Sequence, residues 1–297
     1  MSAPHTSKCC PERCIGTLYV VATPIGNRAD MSERAREILA SVERVAAEDT
    51  RHTGRLLREW QISTSLISIH EHNEAERVPL LLEWLRDGAD VALVSDAGTP
   101  GISDPGYRLV VAAHAADVRV VPIPGPSAVV AALAAAGQPT DRFVFEGFLP
   151  ARPGARYQRL QALAAEARTL VVYETGRRLV ASLRDLVDLF GAERPVTLAR
   201  ELTKAHETIH KTDLGTLADW VAADADQRRG EIVLVIAGAP ESASNRHTLT
   251  LAGVLEALQG ELPPARAAAV AARLTGVKRR EAYRAAIAHS NADGDDA

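Results

Sequence analysis

The side chains able to do chemistry gather in two stretches. The first is AEDTRHTGRLL, residues 47–57, which sets Glu48 and Asp49 beside Arg51. Two carboxylates next to a guanidinium can accept a proton, steady an oxyanion or hold a phosphate. The same charges would equally suit the solvated C-terminus of a helix. The second stretch is VALVSDAGTPGISDPGY, residues 91–107, where Asp96, Ser103 and Asp104 stand between two Gly/Pro clusters. Glycine lets a backbone approach a ligand closely, and proline fixes the path. The two aspartates are read as serving the loop itself.

Each stretch needs an element to position it. Val91, Ala92, Leu93 and Val94 are all apolar, as expected for a strand covered on both faces of a parallel sheet. The Gly/Pro loop therefore follows a strand's carboxyl end, where open α/β sheets bind ligands. Four more loops follow apolar runs: TPIGN (23–27), PIPGPSA (122–128), YETGRR (173–178) and ARELTK (199–204). Strand ends of this kind converge on one crevice, so the five loops are expected to line a single site.

The chain alternates strand and helix around these loops. Strands are expected at 18–22, 91–94, 118–121, 142–146, 170–173, 195–199 and 231–237. Helices are expected at 80–85, 108–115, 127–136, 179–190 and 214–223, with Gly88, Gly137 and Gly191 as stops. Asp30 with Glu33 reads as a capping pair, followed by Ile38, Leu39, Val42 and Val45 on one helical face. Three prolines in VPIPGPS (121–127) argue against regular structure and place a hinge there. The expected organisation is a tail (1–14), an N-terminal α/β domain (15–122), a C-terminal α/β domain (123–240), a linker (241–250), a basic helical domain (251–289) and an acidic tail (290–297). The alternation implies a mainly parallel sheet with covering helices in each half.

At 297 residues the chain can hold two domains and a small third. Its net charge of −4 confines any nucleic-acid contact to a local patch. Residues 261–289 supply one, with six Lys/Arg against two Glu. The three cysteines, Cys9, Cys10 and Cys14, match no zinc spacing, and their absence elsewhere fits the cytoplasm. His70 and His72 lie two apart and are read as a polar pocket edge, so no metal is expected. No apolar run reaches membrane length. Walker, G-x-G-x-x-G and G-x-S-x-G motifs are absent.

TPIGN, AAEDTRHTGRLL (46–57), LVSDAGTPGISDPGY (93–107), PIPGPSA, GFLP (147–150) and ARELTKAHETIH (199–210) together resemble the ribosomal RNA small subunit methyltransferase I family, part of the tetrapyrrole methylase superfamily. The resemblance runs from about Gly16 to His289. It implies two α/β domains of the tetrapyrrole methylase type with a donor cleft between them, plus a helix-turn-helix-like C-terminal domain. It implies S-adenosylmethionine as methyl donor, the ribose 2′-oxygen of a cytidine in 16S ribosomal RNA as acceptor, and a homodimer. Pro24, Asp96, Ala97, Gly98, Thr99, Ile102, Ser127, Ala128, Glu174 and Leu202 are implied at the donor. Glu48, Asp49 and Arg51, with Glu201 behind them, are the candidates for the chemical step. Arg51, Arg177, Lys204, Lys278, Arg279 and Arg280 are the expected RNA contacts. One departure stands out: the family's YES-x-HR is YETGRR here, and the pair Arg177 and Arg178 is expected to compensate. A methylase of a small tetrapyrrole and a non-catalytic RNA-binding assembly factor are the other readings.

Overall fold

A computed structural model of the chain describes residues 15–240, 251–258 and 261–292, the stretch 288–292 by backbone alone. The expected N-terminal tail, the linker and most of the acidic end lie outside the described residues. The chain forms two compact units: residues up to 160 with 169–237, and 161–168 with 238 onward.

The first unit holds two five-stranded sheets. Strands β1 (Thr17–Val21), β2 (Arg44–Ala47), β3 (Ser65–Ser68), β4 (Val91–Val94) and β5 (Arg119–Ile123) form a parallel sheet in the order β3-β2-β4-β1-β5. Successive side chains of a strand point to opposite faces, and both faces are covered. Val45, Ala47, Ala92 and Val94 pack against α1 (Glu33–Ser41) and α2 (Thr50–Glu59). Ala46, Val91 and Leu93 pack against α3 (Glu74–Arg86) and α4 (Tyr107–Ala115). Leu93→Ala would therefore cost about 2–5 kcal/mol.

Three local expectations are corrected. Helix α1 is capped by Ser32, whose hydroxyl accepts the Ala35 N–H at 3.1 Å; Asp30 sits in the preceding 3-10 turn. The helix ends at Ser41, so Val45 belongs to β2. Pro122 does not interrupt β5, because β5 is an edge strand with one side free of ladder partners.

The second sheet comprises β6 (Phe143–Phe148), β7 (Thr169–Thr175), β8 (Pro195–Arg200), β9 (Thr208–Asp213) and β10 (Glu231–Ile236), ordered β6-β7-β10-β8-β9. Only β6 and β7 pair in parallel; the other three pairings are antiparallel, which corrects the expectation of a parallel sheet. Helix α5 (Ala128–Ala136) packs Val129, Ala132 and Leu133 on Val171, Ala199, Val233 and Val235. Ile25, from the loop after β1, joins that same core. Helices α6 (Pro153–Leu163), α7 (Gly176–Phe190) and α8 (Leu214–Ala223) complete the order, α7 packing on α8.

In the second unit, α9 (Leu251–Ala257), α10 (Pro264–Thr275) and α11 (Arg279–Ala292) close on a core of Val254, Leu255, Ala267, Ala268, Ala271, Ala282 and Ala286. Small side chains let these helices approach closely.

Candidate active site at the strand ends

Strands β1, β2, β4 and β5 of the first sheet and β6, β7 and β8 of the second end around one cavity, with the start of antiparallel β10 beside them. Backbone pairing fixes the loops on one another. Thr23 and Gly98 exchange two N–H···O bonds at 2.8 and 3.0 Å, and the Thr23 hydroxyl donates to Ser95 O at 3.1 Å. The Thr99 hydroxyl donates to Pro126 O at 3.1 Å, tying the loop after β4 to the loop after β5. The Asn27 N–H donates to the Thr203 hydroxyl at 2.9 Å, joining the loop after β1 to the loop after β8.

The cavity measures about 330 Å³. Nine of the ten residues implied at the donor line it: Asp96, Ala97, Gly98, Thr99, Ile102, Ser127, Ala128, Glu174 and Leu202. Pro24 lines the adjoining groove, with Lys204. Ile25, Ala199, Leu202 and Val233 give the cavity apolar walls, while Glu48, Asp96 and Asp104 give it an acidic one. Gly98 has φ 88°, a backbone conformation that L side chains rarely adopt. A Cβ there would meet Ile25 Cγ2 at 3.5 Å and Pro126 O at 4.0 Å, ordinary contacts, so the backbone turn requires glycine and crowding by protein does not.

The two chemistry-bearing stretches meet here. The Asp49 N–H donates to Asp96 Oδ1 at 3.0 Å, and the Asp96 N–H to Glu48 Oε2 at 3.4 Å. The run AEDTR is thus a strand end leading into a helix N-terminus, not a helix C-terminus. Asp49 caps α2: its Oδ1 accepts the Arg51 N–H at 2.8 Å, and its Oδ2 pairs with the Arg51 guanidinium at 2.9 Å. That guanidinium holds the Asp49 carboxyl well below the usual carboxylate range. Glu48 behaves oppositely. Burial raises its pKa, and the Asp96 carboxylate adds to the rise against the opposing Asp96 N–H. Burial pushes Asp104 up to about 6, with Glu48 and Asp96 adding repulsion. Tyr173 is pushed up to about 12, first by burial and then by Asp104.

The remaining sequence candidates fall outside the cavity wall. Glu201 has φ 51°, and its Oε1 accepts the Glu231 N–H and Lys204 Nζ, each at 2.9 Å. Burial opposes ionisation of Glu201, yet those two donors outweigh it and hold the carboxyl below its ordinary value. Arg51 is 85% exposed along its side chain. Lys278, Arg279 and Arg280 are exposed at the start of α11.

YETGRR departs from YES-x-HR at Thr175 and Arg177, while Gly176 falls at the open position and Arg178 keeps the final arginine. Gly176 lies against backbone, where a Cβ would stand 2.2 Å from Arg228 O, so a side chain cannot fit without a shift. Glu174 is 1% exposed. Its carboxylate accepts from the Ser182 hydroxyl at 2.5 Å and the Thr175 N–H at 2.8 Å, and forms an ion pair with Arg178 Nε at 3.2 Å. Arg178 also reaches Leu149 O. Of the two arginines, only Arg177 is left exposed.

Asp104, Phe148 and Tyr173 are among the wall residues to which the sequence reading gave no part at the donor. Asp104, expected to serve its own loop, faces the cavity with a raised pKa. Phe148 and Tyr173 also line it, their rings 5.4 Å apart. Phe148 falls within GFLP and Tyr173 within YETGRR, stretches the sequence had already marked without assigning either ring a role.

Among the described residues no group of three or more His, Cys, Asp or Glu could hold a metal ion, and no helix is long and apolar enough to cross a membrane. Residues 17–218 match the family described as Tetrapyrrole (Corrin/Porphyrin) Methylases, and residues 249–290 match the RsmI C-terminal HTH domain. The protein named ribosomal RNA small subunit methyltransferase I in Pseudomonas aeruginosa is 53% identical over 274 residues, covering 92% of this chain and 97% of that protein. Its counterpart from Escherichia coli O157:H7 is 50% identical over 272 residues, covering 92% and 95%. Among solved structures, uroporphyrin-III-C-methyltransferase from Thermus thermophilus superposes with a TM-score of 0.53 at 21% identity, covering 75% of this chain and 95% of that one. The methyltransferase CobJ gives 0.56 at 21%, with the same coverage. By matches that span nearly its whole length, over a two-sheet fold of the tetrapyrrole methylase type, the chain belongs to the ribosomal RNA small subunit methyltransferase I family.

Proposed function

We propose that this protein transfers a methyl group from S-adenosylmethionine to the ribose 2′-oxygen of a cytidine in 16S ribosomal RNA, in or from the small ribosomal subunit. The observation that carries the reading is the cavity at the strand ends. It combines a backbone turn at Gly98, apolar walls and an acidic face, which suit a ligand with an apolar body and a positive charge. When bound, S-adenosylmethionine supplies a methyl group already activated by a sulfonium. Gly98, Thr99 and Ile102 would hold it, with Asp96 and Ala97 beside them, Ser127 and Ala128 at the start of α5, and Leu202 opposite. Glu174 supports the wall through its own buried network.

The chain's own task is to orient the acceptor, exclude water and remove one proton. A ribose hydroxyl is a weak acid, so a carboxylate within reach is needed. Glu48 fits that role best of the candidates, because it lines the cavity and burial raises its basicity. Asp49 and Arg51 position it through the Asp49–Asp96–Glu48 chain of contacts. Glu201 and Lys204 fix the loop after β8 instead. Exposed Arg51, Arg177, Lys278, Arg279 and Arg280 offer phosphate contacts, and Lys204 edges the adjoining groove. The names of the relatives support the RNA substrate over a small tetrapyrrole, as does the basic helical module. A homodimer working in the cytoplasm completes the reading.

Calorimetry with S-adenosylmethionine tests it. The unaltered protein should bind the donor. Gly98→Val forces a branched side chain to φ 88° and should weaken binding about tenfold, with the fold retained by circular dichroism. Unchanged affinity in Gly98→Val would remove this cavity as the donor site.

A further inference from the structure

The proposed transfer requires a seat for the target nucleotide, and the inference of that seat rests on the transfer itself. Two grooves open beside the donor cavity. One, of about 370 Å³, shares Asp96 and Ala97 with it and is lined by Arg28, His52, Arg55 and Lys204. Its cations are largely engaged: Arg28 pairs with Glu59 at 2.5 Å, and Lys204 with Glu201 and Glu231 at 2.9 and 3.0 Å. The other, of about 590 Å³, shares Glu48, Ser103 and Asp104 with the cavity. Carboxylates stand at both partitions: Asp96 and Glu231 toward the first groove are engaged by the Asp49 N–H and by Lys204, whereas Glu48 and Asp104, whose pKa values are raised, stand toward the second. A hydroxyl reaching the methyl group from this side passes Glu48 and Asp104; one arriving from the other side does not.

The rest of this groove carries an aromatic ring and carboxylates, and its one lysine or arginine among the described residues, Arg108, lies 4.0 Å from the Glu74 carboxylate. Tyr107, the first residue of α4, lines it and is 73% exposed. RNA bases splayed out of a strand stack on such rings. Glu71 and Glu74 add carboxylates to the wall. Glu74 is buried and accepts the Arg108 N–H at 3.0 Å, whereas Glu71 is exposed. Carboxylates repel phosphate but accept hydrogen from an exocyclic amine, as in acidic side chains that read cytosine N4. His70 Nδ1 is buried without a hydrogen-bond partner among the described residues, a polar atom still to be satisfied.

We infer that the groove lined by Glu48, His70, Glu71, Ser103, Asp104 and Tyr107 seats the target nucleotide, with Tyr107 stacking on its base and the carboxylate wall selecting an amino-bearing base over uracil. Tyr107 and Glu71 are positioning residues; neither touches the reacting atoms.

The test uses the full-length protein and small subunits carrying cytidine or uridine at the target position. Donor affinity is measured by calorimetry, and methyl transfer by single-turnover kinetics. Tyr107→Ala should raise the half-saturating RNA concentration about tenfold, within the span of base–aromatic stacking, and leave donor affinity unchanged. Tyr107→Phe should restore the parent value. Glu71→Gln should narrow the preference for cytidine over uridine while sparing donor binding. If Tyr107→Ala and Glu71→Gln match the parent in half-saturation and base preference, or if Arg55→Ala alone raises half-saturation, the assignment is overturned. If the unaltered protein binds the donor yet methylates no RNA, the proposed transfer falls and the seat with it.

Discussion

The backbone N–H of Asp49, at the tip of β2, donates to the carboxylate of Asp96, at the tip of neighbouring β4, over 3.0 Å. This bond joins the two stretches that carry the chemistry and orients Glu48 through the Asp96 N–H. Asp96→Ala should therefore lower donor affinity and transfer rate together. It should also cost about 1 kcal/mol in chemical denaturation, the usual net worth of one such bond. A variant that lost activity with donor affinity intact would contradict a shared role.

The two acids of AEDTR should separate cleanly. Glu48→Gln keeps the shape and removes the proton acceptor, so single-turnover transfer should fall about 10²–10⁴-fold, with donor affinity changing far less. Asp49→Asn keeps a capping oxygen for α2 and should cost less than about tenfold. Equal losses in the two variants would show that charge at the helix start, not a base, limits the rate.

The acid limb of the pH–rate profile follows from the raised carboxyls. Asp104 titrates near 6 and is coupled to Glu48, so the pair must lose its proton before it can accept another. Transfer at saturating donor and RNA should fall roughly tenfold per pH unit below about 6 and level off above it. A flat profile down to about pH 5 would exclude the pair.

Stability should respond to the same group with a definite sign. The Asp104 pKa is raised in the folded state, so its ionisation opposes folding fully above about pH 6, and the penalty vanishes below the ordinary aspartate value. Asp104→Asn should thus stabilise the protein by about 1 kcal/mol at about pH 8, after allowance for solvent screening, and by nothing near about pH 3.5. Denaturation at both pH values checks this; destabilisation at the higher one would reverse the sign.

Much of the frame was legible because its signals are local. The all-apolar β4, the glycine stops after α5 and α7, and the Gly/Pro loops each need only neighbouring residues to be read. The strands that escaped, β2, β3 and β9, are short or lie at a sheet edge with polar faces, so neither apolar length nor clean alternation marks them. Strand direction in the second sheet escaped because β10 returns between β7 and β8, a long-range pairing with no local signature. At the site, the loops were legible but their division of labour was not. Asp49 is consumed by capping and by Arg51, and Glu201 by Lys204 and a backbone N–H. Asp104 becomes a wall residue only when β4 and β2 are placed side by side.

The basic start of α11 offers a salt-dependent test. Phosphate contacts release counterions, so Lys278, Arg279 and Arg280 changed together to Ala should flatten the log–log salt dependence of RNA binding by about 0.7–0.9 per lost contact. Donor affinity should not move. Unaltered RNA affinity and slope would assign these residues to packing or self-association.

Transfer to a ribose oxygen leaves the methyl group at a position that can be read chemically. Small subunits from cells lacking this protein would be incubated with it and methyl-labelled S-adenosylmethionine, and the 16S RNA hydrolysed in alkali and digested. Label should appear in an alkali-resistant dinucleotide that yields 2′-O-methylcytidine, and none should appear with Glu48→Gln on the same timescale. Label on a base nitrogen or carbon, or no incorporation by protein that binds the donor, would contradict ribose methylation.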